Sequence, residues 1–154
     1  MSMYNKNAHE QYKNIQVTTV DRGRLLLMMY EGAIKFLKQS KAGIEENDIV
    51  KFCRFLSKAQ AIIAELMNTL DFEKGGDIAR DLDRLYDFML FYLTEANLYR
   101  DPKRIAKVIS LIETIYSAYK EIIENNKSSK VEENFDNINN PKVGEAIKKV
   151  EISL

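Results

Sequence analysis

The chain has 154 residues, of which 45% are hydrophobic and 30% are charged, and this composition is sufficient to bury the core of one folded domain. Lys plus Arg and Asp plus Glu both number 23, so the formal net charge is zero. No net basic field attracts a nucleic-acid backbone, and we therefore do not expect a protein that binds nucleic acid.

The first 20 residues are predicted to form an extended arm. Residues 1–13 are polar and lack the apolar core of a signal peptide. The longest strongly apolar run, residues 25–30 (LLLMMY), is far shorter than a membrane span. We therefore expect a cytoplasmic protein without membrane insertion.

The first two predicted helices are marked by capping residues. Asp21 is a plausible N-cap for a helix that runs to about Glu46, and Asp48 caps the second helix. Apolar residues of the second helix recur at alternating steps of three and four, which is the spacing of a buried face in a helical bundle. These residues are Ile49, Phe52, Leu56, Ala59, Ile63, Leu66 and Leu70.

Glycine and proline mark the other two helices. Gly75 and Gly76 are predicted to end the second helix, and Asp77 to begin the third. Asp101 followed by Pro102 predicts the start of a fourth helix, which runs to about residue 125. The predicted buried positions of the third helix are Ile78, Leu82, Leu85, Met89, Tyr92, Ala96 and Tyr99, and those of the fourth are Ile105, Val108, Ile112, Ile115, Tyr119 and Ile122.

These elements predict an all-α fold in which residues 21–125 form an antiparallel up-down four-helix bundle, because connections of a few residues force neighbouring helices to run in opposite directions. Residues 126–140 are rich in Asn, Ser, Lys and Glu and are predicted to be a flexible tether. A short amphipathic fifth helix is predicted to begin at Pro141, which would place Val143, Ile147, Val150 and Leu154 on one face. A helix of about a dozen residues is marginal unless it docks on something.

A second apolar stripe accompanies the buried one on each helix. Leu26 and Met29 carry it on the first helix and Ile62 on the second, and on the third helix it comprises Tyr86, Leu90, Leu93 and Asn97. A broad stripe is also what an ordinary bundle core requires, since every helix touches two neighbours. That explanation is weaker for Phe91 and Leu98, which project almost opposite the predicted buried face. The pattern therefore indicates a groove for an apolar segment of another protein.

The sequence offers little for catalysis or metal binding. It has one histidine and one cysteine, which excludes a disulfide within the chain, a zinc site and a di-iron bundle centre. Residues 73–76 (EKGG) lack the spacing of a phosphate-binding loop. The aspartates and arginines of residues 80–87 are typical of a solvated salt-bridge face rather than of paired catalytic acids. We expect no enzyme and no cofactor.

Several blocks of the chain carry recognisable motifs. They are residues 17–19 (VTT), 30–33 (YEGA), 58–60 (KAQ), 73–79 (EKGGDIA), 85–89 (LYDFM) and 95–98 (EANL). In this order, over residues 12–125, the sequence resembles the FliS family of flagellar export chaperones. The family usually opens its first helix with Ser-Pro, whereas Asp21 and Arg22 stand here, which keeps the cap and loses the proline.

The resemblance implies a cytoplasmic chaperone that holds the disordered C-terminal segment of flagellin. It would prevent premature polymerisation and present the subunit to the flagellar type III export gate protein. The arm that carries Tyr12 would cap part of the client groove and be displaced on binding. The residues expected to contact the client are Tyr12, Leu26, Met29, Ile62, Tyr86, Leu90, Phe91, Leu93, Asn97 and Leu98.

Two further hypotheses concern the rest of the surface and the C-terminus. The alternative function is a self-associating structural bundle whose second stripes pair between protomers, and a homodimer is also possible for a client-free chaperone. Residues 126–154 extend past the part that resembles the family. Their amphipathic segment is hypothesised to dock on the apolar surface as a mimic of the client.

Overall fold

The computed structural model describes residues 22–132, the last five by their backbone alone. All secondary structure in this range is helical: α1 spans Arg22–Glu45, α2 Ile49–Asn68, α3 Phe72–Tyr99 and α4 Pro102–Glu132. α1 packs against α2 and α4, and α3 packs against the same two helices. Connections of two or three residues make consecutive helices antiparallel. The predicted all-α four-helix bundle is confirmed, whereas the N-terminal arm and the C-terminal helix lie outside the described residues.

The turn between α1 and α2 forms as the capping residues predict. Asn47, two residues after the end of α1, adopts the left-handed conformation with a φ of 56°, and the N–H of Asp48 donates to the carbonyl of Gly43 at 2.8 Å. The Asp48 carboxylate in turn accepts the N–H of Lys51 at 3.0 Å, which satisfies one of the free donors at the start of α2.

The predicted boundary between the second and third helices is wrong. α2 ends at Asn68, and Asp71 caps α3 by accepting the N–H groups of Glu73 and Lys74, both at 3.1 Å. Gly76 does interrupt the helix, since its φ of 53° and ψ of −128° are not helical, but it produces a kink inside α3 instead of a boundary. The side-chain cap at Asp71 therefore outweighs the glycine pair as a start signal.

The start of the fourth helix is confirmed and its end is not. The Asp101 carboxylate accepts the N–H of Lys103 at 3.0 Å, and Pro102 is the first residue of α4. The helix continues to Glu132, so the first residues of the predicted tether are helical. Residues 126–132 contain no glycine or proline, and their lysines and glutamate favour continuation of a helix that has already formed.

The core forms where one face of each helix packs against the others. On α3, the residues that contribute to the core differ from those predicted. Ile78 and Tyr99 are exposed, while the buried side chains of this helix are Ala79, Tyr86, Met89, Leu93 and Ala96. Relative to the predicted face, the observed buried face of α3 is rotated about the helix axis by about half the angle between adjacent residues. Both sets of positions follow steps of three and four, so this spacing does not distinguish between them. The predicted buried residues of α2 from Phe52 to Leu66 are confirmed.

Gly43 allows α1 to approach the start of α2 closely. A β-carbon at this position would lie 2.6 Å from the backbone nitrogen and 2.9 Å from the Cα of Phe52. Ser40, one turn earlier and fully buried, donates its hydroxyl hydrogen to the carbonyl of Phe52 at 2.9 Å. Backbone atoms held in this way cannot move without separating the two helices.

We expect Gly43→Ala to lower the free energy of unfolding by about 2–3 kcal/mol, because the added methyl group overpacks this contact. The measurement is urea denaturation followed by circular dichroism. Gly32→Ala is the matched control, since its β-carbon would meet only the flexible end of Ile62 at 3.4 Å. The control gains helix propensity and should not lose stability. Equal stability of the two variants would show that α1 and α2 are not so closely apposed.

Three tyrosines meet in the core. The hydroxyl groups of Tyr30 and Tyr86 are hydrogen-bonded to each other, and Tyr119 stacks on Tyr30 with ring centroids 5.9 Å apart. Burial raises the pKa of Tyr30, as does the proximity of Tyr86. Burial also raises the pKa of Tyr86 and Tyr119. The folded protein therefore keeps these hydroxyl groups protonated at a pH where exposed tyrosines ionise.

We expect the free energy of unfolding to fall as the pH rises above about 10. In that range the tyrosines of the unfolded chain release protons that the folded chain retains, which favours unfolding by up to about 1.4 kcal/mol per pH unit for each tyrosine. The measurement is urea denaturation between pH 9 and 11. The double variant Tyr30→Phe with Tyr86→Phe should lose most of this dependence, and an unchanged slope would contradict the assignment.

Candidate binding surface

The outer side of α3 carries an apolar stripe that faces away from the core. Phe91 is 61% exposed and Leu98 is 73% exposed. Phe88 and Tyr99 are also exposed. Helical periodicity places Phe91 and Leu98 opposite the buried residues of α3, and it places Phe88 and Tyr99 on one flank of that pair. We call these four residues, Phe88, Phe91, Leu98 and Tyr99, the α3 outer stripe. The predicted outward position of Phe91 and Leu98 is confirmed.

One edge of the α3 outer stripe is held in place by α4. The ring of Phe88 stacks on that of Tyr92 with centroids 5.2 Å apart. The guanidinium of Arg104 lies 5.1 Å from the Tyr92 centroid and 5.4 Å from the Tyr99 centroid. Arg104 also forms ion pairs with Glu95 and Asp101. These contacts hold the rings of Tyr92 and Tyr99 against α4, and Tyr92 in turn holds Phe88. This side of the stripe is therefore ordered before any partner binds.

The remaining predicted contact residues of α3 divide between surface and core. Asn97 is exposed and Leu90 is partly buried, so both have surface that a partner can reach. Tyr86 and Leu93 are 1% and 0% exposed and belong to the core. The second stripe, predicted to lie beside the buried one, is at these two positions part of the core, because the buried face of α3 is rotated and includes them.

The predicted contact residues of α1 and α2 form a separate surface. Leu26, Met29 and Ile62 are partly buried and pack against the core. Ile62 lies next to Gly32 of α1, so this patch follows the α1–α2 seam. α3 packs against α2 but not closely against α1, so Leu26 and Met29 lie on the helix diagonal to α3, and Ile62 lies on a helix next to it. The structure therefore does not gather these residues and the α3 outer stripe into one groove, and Tyr12 lies outside the described residues.

Other exposed apolar residues were missed by the sequence reasoning. Leu25 and Met28 are exposed at the start of α1, and Ile49 and Val50 at the start of α2. Leu25, Met28 and Val50 could have been found in the sequence, because they are large apolar residues outside the three-and-four spacing of the buried positions. Ile49 fits that spacing and is exposed because it is the first residue of its helix. Apolar surface is thus available on α1 and α2 as well as on α3.

The charged side chains of the bundle form surface ion pairs. Arg80 donates to Asp77 at 2.6 Å on the exposed side of α3. Among the described residues, no group of His, Cys, Asp and Glu is arranged to hold a metal ion. None of the described helices combines the length and the apolarity that crossing a membrane requires.

Comparison with known proteins decides the family. The family model described as "Flagellar protein FliS" matches residues 4–126. The chain is 35% identical to the flagellar secretion chaperone FliS of Campylobacter jejuni over 80% of this chain and 96% of that protein. It is 38% identical to that of Vibrio cholerae, over 73% and 86% of the two chains. The identity to the Salmonella typhimurium chaperone is 35%, over 78% and 93%.

This chain belongs to the FliS family. The FliS proteins are flagellar secretion chaperones and not enzymes, so the family accounts for a bundle with exposed apolar stripes. The family model ends at residue 126, within α4. The last 28 residues of this chain, 127–154, therefore extend beyond what the FliS family model describes.

Proposed function

We propose that this chaperone acts in the cytoplasm by binding the disordered C-terminal segment of flagellin, preventing its premature polymerisation and delivering it to the flagellar export gate protein. The observation that carries the proposal is the α3 outer stripe, which exposes Phe91 and Leu98 on a helix of a FliS-family bundle. Exposed large side chains that form a row are typical of a surface that receives an apolar segment.

The energetics favour a client that covers a long track. An unfolded segment loses about 1–2 kcal/mol of backbone entropy for each residue that becomes ordered. Burial of apolar surface returns about 25 cal/mol per Å², so a few isolated contacts cannot offset the loss. A helix of 28 residues such as α3 is about 42 Å long. A client that follows the α3 outer stripe and continues to the α1–α2 seam would have a sufficient track.

The two surfaces suggest different roles for the predicted contact residues. Leu90, Phe91, Asn97 and Leu98 would receive one part of the flagellin segment. Leu26, Met29 and Ile62 would receive another part after modest side-chain movement, and the arm with Tyr12 would cover part of the groove until the client displaces it. Tyr86 and Leu93 would support the groove from the core. The C-terminal segment of this chain would compete with the client.

The proposal is tested by titrating the full chain with a flagellin C-terminal fragment in a calorimeter and by following flagellin polymerisation by light scattering. We expect a saturable complex and a concentration-dependent delay of polymerisation. The same titration with a chain that ends at Glu132 tests the competing C-terminal segment, which predicts tighter binding by the shortened chain. No complex and no delay would contradict the proposal, and a concentration-dependent homodimer alone would favour the self-associating bundle.

A further inference from the structure

A cavity of about 230 Å³ lies at the end of the bundle where the α1–α2 turn meets the α3–α4 turn. It is lined by Gly43, Ile44, Asn47, Ile49, Phe52 and Arg100. Four of these six residues are glycine or apolar, and the other two are Asn47 and Arg100. Sites for small molecules usually enclose about 300–1,000 Å³, so this cavity is suited to a single side chain of a partner.

The backbone at the rim of the cavity is unusual for its residue types. Among the described residues, Asn47 and Arg100 are the non-glycine residues with positive φ, at 56° and 50°. Asparagine adopts this left-handed conformation readily, and glycine is the usual residue at such a helix end. Arginine has neither advantage. Arg100 therefore lines the cavity at a position where the backbone alone would favour glycine.

The acidic side chains around the two turns are engaged with groups other than Arg100 in the described part of the chain. The nearby carboxylates already have partners: Glu45 pairs with Lys41, Glu46 with Lys51, Glu95 with Arg104, and Asp48 and Asp101 accept backbone N–H groups. Within the described part of the chain, none of the ion pairs involves Arg100. An arginine beside an apolar cavity, with the local acids already engaged, is complementary to an incoming carboxylate.

We propose that this cavity binds a segment of a partner protein in which an aliphatic side chain neighbours a carboxylate. The aliphatic group would enter between Ile44 and Phe52, and the carboxylate would accept hydrogen bonds from the guanidinium of Arg100. The lining shares no residue with the α3 outer stripe. The site is therefore a second recognition point at the end of the bundle, and it does not depend on flagellin being the client.

The first test is a nuclear magnetic resonance titration of the full chain with N-acetyl-leucine as the probe. We expect saturable shifts at the amides of Gly43, Ile44 and Ile49. N-acetyl-leucinamide, which lacks the carboxylate, and N-acetylalanine, which lacks the long side chain, should bind at least about tenfold more weakly. Equal binding of the amide, shifts located elsewhere, or no saturable shift up to the solubility limit would each overturn the proposal.

The second test separates recognition from folding by changing Arg100. Arg100→Gly should weaken N-acetyl-leucine binding by at least about tenfold while keeping or raising the melting temperature, since glycine prefers the left-handed conformation. Lys103→Ala is the matched control, because it removes an exposed positive charge from the same end of the bundle. The control should bind like the unaltered chain. Undiminished binding by Arg100→Gly, or an equal loss in Lys103→Ala, would overturn the proposal.

Discussion

Phe91→Asp is expected to weaken binding of the flagellin C-terminal fragment by about a hundredfold while leaving the fold intact. The ring of Phe91 is 61% exposed in the free chain, and an aromatic side chain buries 150–250 Å² when it is fully covered. Covering the exposed part contributes about 3 kcal/mol at the usual area coefficient, which corresponds to about two decades of affinity. An aspartate there would also have to be desolvated by the client. Calorimetric titration gives the affinity.

The matched control for this prediction is Ser117→Asp, which places the same residue on an exposed position of α4. Both variants put aspartate in a helix interior, so their melting temperatures should be similar and close to that of the unaltered chain. Only Phe91→Asp should lose affinity. If both variants bind the fragment equally well, the α3 outer stripe is not the client surface. If Phe91→Asp fails to fold, its ring contributes to the core.

The elements of the fold could be predicted from local chemistry. Asp48 and the Asp101-Pro102 pair mark helix starts through hydrogen bonds and backbone geometry that involve only a few neighbouring residues. Gly76 was misread because glycine permits a non-helical conformation without ending the helix around it. The cap at Asp71 could have been recognised, since aspartate is a preferred N-cap residue, as it is at Asp48.

The rotation of α3 could not be predicted from its own sequence. Positions 85, 92 and 99 and positions 86, 93 and 96 are both apolar, so two buried faces about half a residue step apart satisfy the same rhythm. Contact with distant helices decides between them, as the hydrogen bond between Tyr86 and Tyr30, 56 residues apart, illustrates. Phe91 and Leu98 lie opposite both faces. Their outward position was predictable because it did not depend on that choice.

The grouping of the binding residues depends on which helices are neighbours. Leu26 lies on α1, Ile62 lies on α2 beside α1, and Phe91 lies on α3, which packs against α2 but not closely against α1. The stripes on single helices are visible in the sequence, but their distribution around the bundle is set by tertiary packing. The cavity beside Arg100 depends even more strongly on tertiary packing, because its walls come from two turns that are more than 50 residues apart in the sequence.

Leu66→Asp is expected to abolish cooperative folding at neutral pH. Leu66 is 1% exposed and lies in the main core cluster near the end of α2. Loss of a buried leucine costs about 2–5 kcal/mol, and an unpaired buried carboxylate adds several more. The carboxylate also lies near the negative end of the helix dipole. The sum approaches the total stability of about 5–15 kcal/mol that a domain possesses. Circular dichroism during heating should show no cooperative transition.

Two controls separate the effect of a buried charge from the effects of an exposed charge and of lost packing. Asn68→Asp places the same carboxylate on the exposed side of α2, two residues further along, and should melt close to the unaltered chain. Leu66→Ala removes the packing without adding charge and should fold with a melting temperature between the two. Because a buried carboxylate is less costly when protonated, Leu66→Asp should regain structure at acidic pH relative to Asn68→Asp. A cooperative melt of Leu66→Asp within a few degrees of Asn68→Asp at neutral pH would place Leu66 outside the core, and the arrangement of α2 in the bundle would have to be revised.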